Sequence, residues 1–126
     1  MHPKTLFTTL FIAGLVTASA AHAACEGSNG RGWLSGEGKG KFEMSASDGS
    51  CVMRYPGFIN DTTNTSIPAT QVTLTRAPKS GKITLSAGGL VYTPTAGFKG
   101  TDRFCTKNTS PEVKGTLSGC VTVTVR

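Results

Sequence analysis

Hydrophobic and polar residues alternate in short runs along this chain. Phe42 and Met44 alternate with Lys41 and Glu43, and 51–55 is a second extended run stopped by Pro56-Gly57. Val72 and Leu74 alternate with Thr73 and Thr75. Ile83 and Leu85 then share a face, Ala87-Gly88-Gly89 turns the chain, and Leu90 and Tyr92 return. Residues 102–106 are extended, and Val121-Thr122-Val123-Thr124-Val125 is the strictest alternation present. Successive side chains of an extended strand point to opposite faces, so each run predicts a strand with one buried side. Rich in Val, Thr, Ile and Tyr and bounded by Gly, Pro or Asn, the runs predict about seven short strands. Past the N-terminal segment no apolar residues recur with a helical period. The pattern therefore predicts an all-β fold, a β-sandwich, with a small barrel as the alternative.

Three stretches lack the alternation. Residues 24–40 are glycine-rich, with Trp33-Leu34 as their only apolar anchor, and read as a loop or irregular arm before a domain spanning 41–126. Residues 60–68 (Asn-Asp-Thr-Thr-Asn-Thr-Ser-Ile-Pro) read as a polar loop, and 94–100 as another.

The N-terminus has the order of an export signal. Lys4 gives a positive start, Leu6 to Val16 is apolar, and Ala21-His22-Ala23 fits the small-x-small pattern of signal peptidase. Cleavage is expected after Ala23, with Ala18-Ser19-Ala20 as a second candidate. The apolar stretch is shorter than the roughly 20 residues of a bilayer span. Cys25 lies close to the cleavage point, but a lipoprotein signal wants a leucine-like residue three before the cysteine, where this chain has His22. Cleavage removes Lys4 and both histidines, His2 and His22, and leaves one small domain that is still basic. The product is expected to be secreted or periplasmic, without a membrane span, and monomeric.

Cys25, Cys51, Cys105 and Cys120 all remain after cleavage. An even count in a small exported domain reads as disulfides, which stabilise a core of marginal size. If Val121, Val123 and Val125 face the core, Cys120 faces away, and Cys105 does the same beside Phe104. A cross-strand Cys105–Cys120 bridge is then within reach, and Cys25–Cys51 follows by elimination.

The segment 81–104 reads Gly-Lys-Ile-Thr-Leu-Ser-Ala-Gly-Gly-Leu-Val-Tyr-Thr-Pro-Thr-Ala-Gly-Phe-Lys-Gly-Thr-Asp-Arg-Phe and is closed by Val121 to Val125. With Pro78 and Gly81 before it, this half of the chain resembles the bacterial immunoglobulin-like (cadherin-like) modules of secreted and surface proteins. Their repeat reads G-x-[LIV]…Y-x-P…G-F-x-G-x-D-x-F and ends in V-T-V-x-V. The resemblance implies an immunoglobulin-like sandwich whose corner is built by Tyr92, Gly97, Phe98, Gly100, Asp102 and Phe104. In that corner the aromatic rings bury apolar area, the glycines permit positive φ, and Asp102 accepts backbone N–H bonds. Immunoglobulin domains carry an inter-sheet bridge, which makes Cys51–Cys105 the rival pairing.

Candidate chemistry is sparse. Without histidine, the mature chain has no Ser–His–Asp or Cys–His nucleophile and lacks the commonest metal ligand. Bridged cysteines are neither nucleophiles nor zinc ligands, and the carboxylates form no cluster for acid–base work or calcium. Gly36-Glu37-Gly38-Lys39-Gly40-Lys41 lacks the strand–helix setting of a phosphate loop and reads as flexible arm. No catalytic residue, metal or cofactor is expected. A formal net charge of +6, dispersed along the chain, suits solvation or a weak attraction to anionic polysaccharide. Export and the lack of an aromatic-basic motif disfavour nucleic acid. Asn60, Asn64 and Asn108 begin glycosylation-acceptor triplets that read as chance loop chemistry. Trp33 is either the anchor of the arm or an exposed contact residue. The expected function is a non-enzymatic binding, adhesion or envelope-structural module. The alternatives are an inhibitor or accessory factor acting on a partner protein through the arm and 60–68, or a small hydrolase.

Overall fold

The alternation of the C-terminal valines is the spine of the molecule: Val121, Val123 and Val125 are buried, while Thr122 and Thr124 between them face outward. The structure, a computed structural model, describes residues 25–126, so the signal peptide expected over 1–23 lies outside the described residues. Ten strands follow in order: β1 (Glu26–Ser28), β2 (Gly38–Met44), β3 (Cys51–Met53), β4 (Gly57–Asn60), β5 (Thr65–Pro68), β6 (Gln71–Arg76), β7 (Gly81–Ser86), β8 (Gly89–Pro94), β9 (Gly100–Ser110) and β10 (Val113–Val125). The helical content among the described residues is a single 3-10 turn, Ala46–Asp48. The fold is all-β, as the alternation predicts.

The strands form a five-stranded sheet in the order β1-β2-β10-β9-β6, a three-stranded sheet β3-β8-β7 and the two-stranded pair β4-β5. All pairings are antiparallel except β2 with β10, where Gly38 to Met44 run parallel to Gly119 to Val125. Phe42, Met44, Phe104 and the β10 valines from the larger sheet meet Cys51, Met53, Leu90 and Tyr92 from the smaller in one apolar cluster. Burying such side chains contributes about 1.5–3 kcal/mol each, which is what holds the two sheets together.

Three departures from the sequence reading have local causes. The glycine-rich arm is not separate from the domain: it supplies β1 and, from Gly38, the start of β2, so the expected boundary at 41 falls inside a strand. The stretch 60–68 is a hairpin, because the Asn60 side-chain oxygen accepts N–H bonds from Thr62 (3.0 Å) and Thr63 (3.3 Å) and Asn64 takes the left-handed conformation at φ 55°. Residues 107–119, where the alternation predicts no strand, form much of the long hairpin β9–β10. There the inward positions on β9 are polar, Thr106, Asn108 and Ser110, and an apolar period cannot reveal them. The Asn108 amide nitrogen donates to Leu117 O and Thr106 Oγ1, both at 2.9 Å, which offsets part of the cost of its burial, while its Oδ1 has no partner among the described residues.

The cysteines are bonded as Cys25–Cys51 and Cys105–Cys120. Cys105 and Cys120 are directly opposed in the β9–β10 register, half-exposed on the outer face of the sheet while their neighbours Phe104 and Val121 are buried. The first bridge ties the start of β1 to β3 of the other sheet. Its partner closes a sequence separation of 15 residues, and replacing both of its cysteines by serine is expected to lower the unfolding free energy by about 3 kcal/mol, read in urea titrations.

Candidate functional site

The corner residues singled out by the sequence come together around one carboxylate. Asp102 lies on the inward face of β9, opposite Val123, and is 5% exposed. Its oxygens accept hydrogen bonds from the backbone N–H groups of Lys79, Ser80 and Arg103, each at 2.9 Å, and from the Tyr92 hydroxyl at 2.7 Å. Burial alone raises the carboxyl pKa; the hydrogen bonds from Tyr92, Lys79, Ser80 and Arg103 outweigh it and hold the group below its ordinary value. Burial, followed by the hydrogen bond to and charge of Asp102, pushes the Tyr92 phenol up, so it stays protonated and keeps donating. Gly97 and Gly100 turn the chain at φ 84° and 138°, Phe98 is half-buried over the turn, and Phe104 is fully enclosed. With both oxygens of Asp102 engaged by the chain's own donors, the corner acts as a brace between the β6–β7 turn and β9.

A different place presents itself to solvent. The segment after β1 folds into a turn in which Glu37 N–H donates to Gly32 O (2.8 Å) and Gly36 N–H to Trp33 O (3.2 Å). Trp33 is buried: its indole N–H donates to Asn29 O at 2.7 Å, and its own carbonyl accepts from Ser118 N–H at 2.8 Å. Its ring lies against Gly38, where a Cβ would sit 2.2 Å from the indole, and Gly38 is paired with Gly119. Two glycines side by side leave the gap that the ring fills. Trp33 is therefore the anchor of the arm and not an exposed contact residue. Its neighbour Leu34 is the side chain held out to solvent, 67% exposed.

Leu34 forms one wall of a cleft of about 610 Å³ whose other walls are the β4–β5 hairpin and the β9–β10 hairpin. Phe58, Ile59 and Ile67 come from the first hairpin, and Val113 and Leu117 from the second. Gly115 marks where the three segments converge: a Cβ there would lie 3.3 Å from Leu34 Cδ1 and 3.8 Å from Phe58 Cε2. Arg31 and Asp61 join arm to hairpin across the rim, with contacts of 3.2 and 3.3 Å, and Lys114 stands on the third side. The sequence reading missed Leu34, Ile59 and Ile67 as a group. Their signal was weak but present: Leu34 follows Trp33 in the glycine-rich arm, Ile59 follows Phe58, and Ile67 is the one large apolar residue in the polar stretch 60–68.

The cations read as dispersed along the chain are not all dispersed in space, since Lys39, Lys41, Arg76, Arg103 and Lys107 share the outer face of the five-stranded sheet. Among the acceptor triplets, Asn108 is fully buried and Asn60 caps its turn, whereas Asn64 is exposed. Comparison of the chain with protein-family models, curated proteins and solved structures finds no match.

Proposed function

We propose that this chain is an exported, non-enzymatic binding module of immunoglobulin-like architecture that holds a segment of a partner protein in the cleft between arm and hairpins. Strand order supports the architecture: β10-β9-β6 and β3-β8-β7 correspond to the GFC and BED groupings of an immunoglobulin sandwich. The two disulfides support an oxidising compartment. The observation that carries the binding role is the cleft itself. Two segments distant in sequence, the arm and the β4–β5 hairpin, present Leu34, Ile59 and Ile67, at 67, 50 and 36% exposure, around a single concavity with a charged rim. Apolar walls inside a polar rim suit a protein segment better than a glycan, which favours the inhibitor or accessory-factor reading over a structural one.

The test is a double variant, Leu34→Asp with Ile59→Asp, compared with wild type in binding to separated exported proteins and to envelope glycans. Both sites are exposed, so the variant is expected to keep the wild-type circular dichroism. Its affinity for the partner is expected to fall at least tenfold, since each exposed apolar anchor contributes about 1–2 kcal/mol. Equal binding by variant and wild type, or retention by glycans alone, would overturn the assignment.

A further inference from the structure

The five-stranded sheet has a second face, turned away from the core, and its chemistry is set by register. One row across the sheet reads Lys39, Cys120, Cys105, Arg76 from β2 through β10 and β9 to β6. The next rows read Lys41, Thr122, Arg103 on one side and Ser118, Lys107, Thr73 on the other. All five cations are exposed. Strands lie about 4.8 Å apart and alternate residues of a strand about 7 Å apart, so the five charges, spread over four strands and three rows, cover a patch of roughly 14 by 14 Å.

Among the described residues no ion pair neutralises the patch. The ion pairs among the described residues are Arg31–Asp61 and Arg126–Glu43, and neither includes any of the five. Two acids stand at the end of the same face, one row beyond Lys41 and Arg103: Glu43 is taken by Arg126, whose guanidinium holds its carboxyl below the ordinary range, and Glu26 lies opposite Glu43 on β1, at the sheet edge. Like charges on neighbouring strands repel, and a patch kept this way favours an anionic partner. The Cys105–Cys120 bridge crosses the middle of the first row and holds its two central strands in register.

We propose that this face is a binding site for a linear acidic polysaccharide, separate from the cleft. Three features of the face select that ligand. Apart from the Cys105–Cys120 bridge, the neutral positions among and beside the cations include the hydroxyls of Thr73, Thr101, Ser118, Thr122 and Thr124, which donate to and accept from sugar hydroxyls. Its outward residues include no aromatic ring on which a nucleic-acid base could stack. They include no large aliphatic side chain to enter a lipid surface either. What remains is charge plus hydroxyl pairing on a flat, stiff platform, the complement of a carboxylate-bearing glycan chain.

The experiment titrates the purified protein with polygalacturonate oligomers and, in separate arms, with neutral dextran, single-stranded DNA and phosphatidylglycerol vesicles. The face variant carries Lys39→Gln, Lys41→Gln, Arg103→Gln and Lys107→Gln. The comparison variant removes the same charge elsewhere, through Arg54→Gln, Lys79→Gln, Lys82→Gln and Lys99→Gln. Polygalacturonate is expected to bind with a dissociation constant that rises with salt, and backbone amide shifts are expected to move on β2, β10, β9 and β6. The face variant should lose about tenfold or more in affinity, as the loss of several charge contacts implies, and the comparison variant less than about twofold. Equal losses in the two variants would reduce the effect to net charge and overturn the site. Tighter binding of DNA or vesicles at the same face would overturn the ligand. Binding that survives the face variant but fails with Leu34→Asp would place the glycan in the cleft and overturn the separation of the two surfaces.

Discussion

Asp102→Ala is expected to lower the unfolding free energy by about 4 kcal/mol, a large share of the roughly 5–15 kcal/mol typical of a small domain. The substitution leaves the buried Tyr92 hydroxyl and the N–H groups of Lys79, Ser80 and Arg103 without their common acceptor. Hydrogen bonds to a charged group contribute about 1.5–3 kcal/mol each, and water entering the opened turn restores only part of the sum. Tyr92→Phe removes one donor of the four and is expected to cost about 1–2 kcal/mol. A pH dependence distinguishes lost charge from lost packing. The folded-state pKa of Asp102 lies below its ordinary value of 3.8, so its contribution is fully present above that value and is lost as pH falls through the lower, folded value. In wild type, the urea midpoint should therefore decline steadily below about pH 4, and in Asp102→Asn that part of the slope should be missing. An unchanged slope in the asparagine variant would place the acid sensitivity elsewhere.

Gly38→Val is expected to be equally damaging, also about 4 kcal/mol, by expelling the one tryptophan of the chain. A Cβ at Gly38 would meet the indole of Trp33 at 2.2, 2.5 and 2.6 Å, contacts that no small adjustment relieves, because the ring is itself pinned by Asn29 O. The partner glycine is as constrained: a Cβ at Gly119 would lie 2.4 Å from Gly38 Cα. Displacement of Trp33 should move its fluorescence emission to longer wavelength. It should also release Leu34 from the wall of the cleft, so that partner binding falls together with stability. Gly88→Ala, where a Cβ would lie 3.9 Å from Val52 Cγ1 in open surroundings, is the neutral comparison. Wild-type emission and stability in Gly38→Val would remove the basis for treating the arm as packed structure.

How much of this was legible in the sequence depended on whether burial was apolar. Val121 to Val125, Phe42 with Met44, and Leu90 with Tyr92 announce their strands because each inward position is hydrophobic. From the same alternation the outward aspect of Cys105 and Cys120 follows. The far half of β9 hides itself, because Thr106, Asn108 and Ser110 face inward, with the Thr106 and Ser110 hydroxyls and the Asn108 amide nitrogen paired within the chain. The arm hides itself for a different reason: Gly38 reads as flexible but is a glycine because a ring occupies the place of a side chain. Neither the cleft nor the basic face could be seen, since each is assembled by register and hairpin packing from residues far apart in the chain.

The two bridges also decide how the molecule carries a pull between its ends. With Cys25 joined to Cys51, tension entering from the N-terminal side passes directly to β3, and β1 and β2 lie off the load path. Once that bridge is reduced, the same pull reaches Gly38 at one end of β2 and leaves from Val125 at the opposite end of β10. The parallel rungs between those strands must then shear together, where an antiparallel pair would open one rung at a time. The thiol state of Cys25 and Cys51 thus selects which seam bears mechanical load.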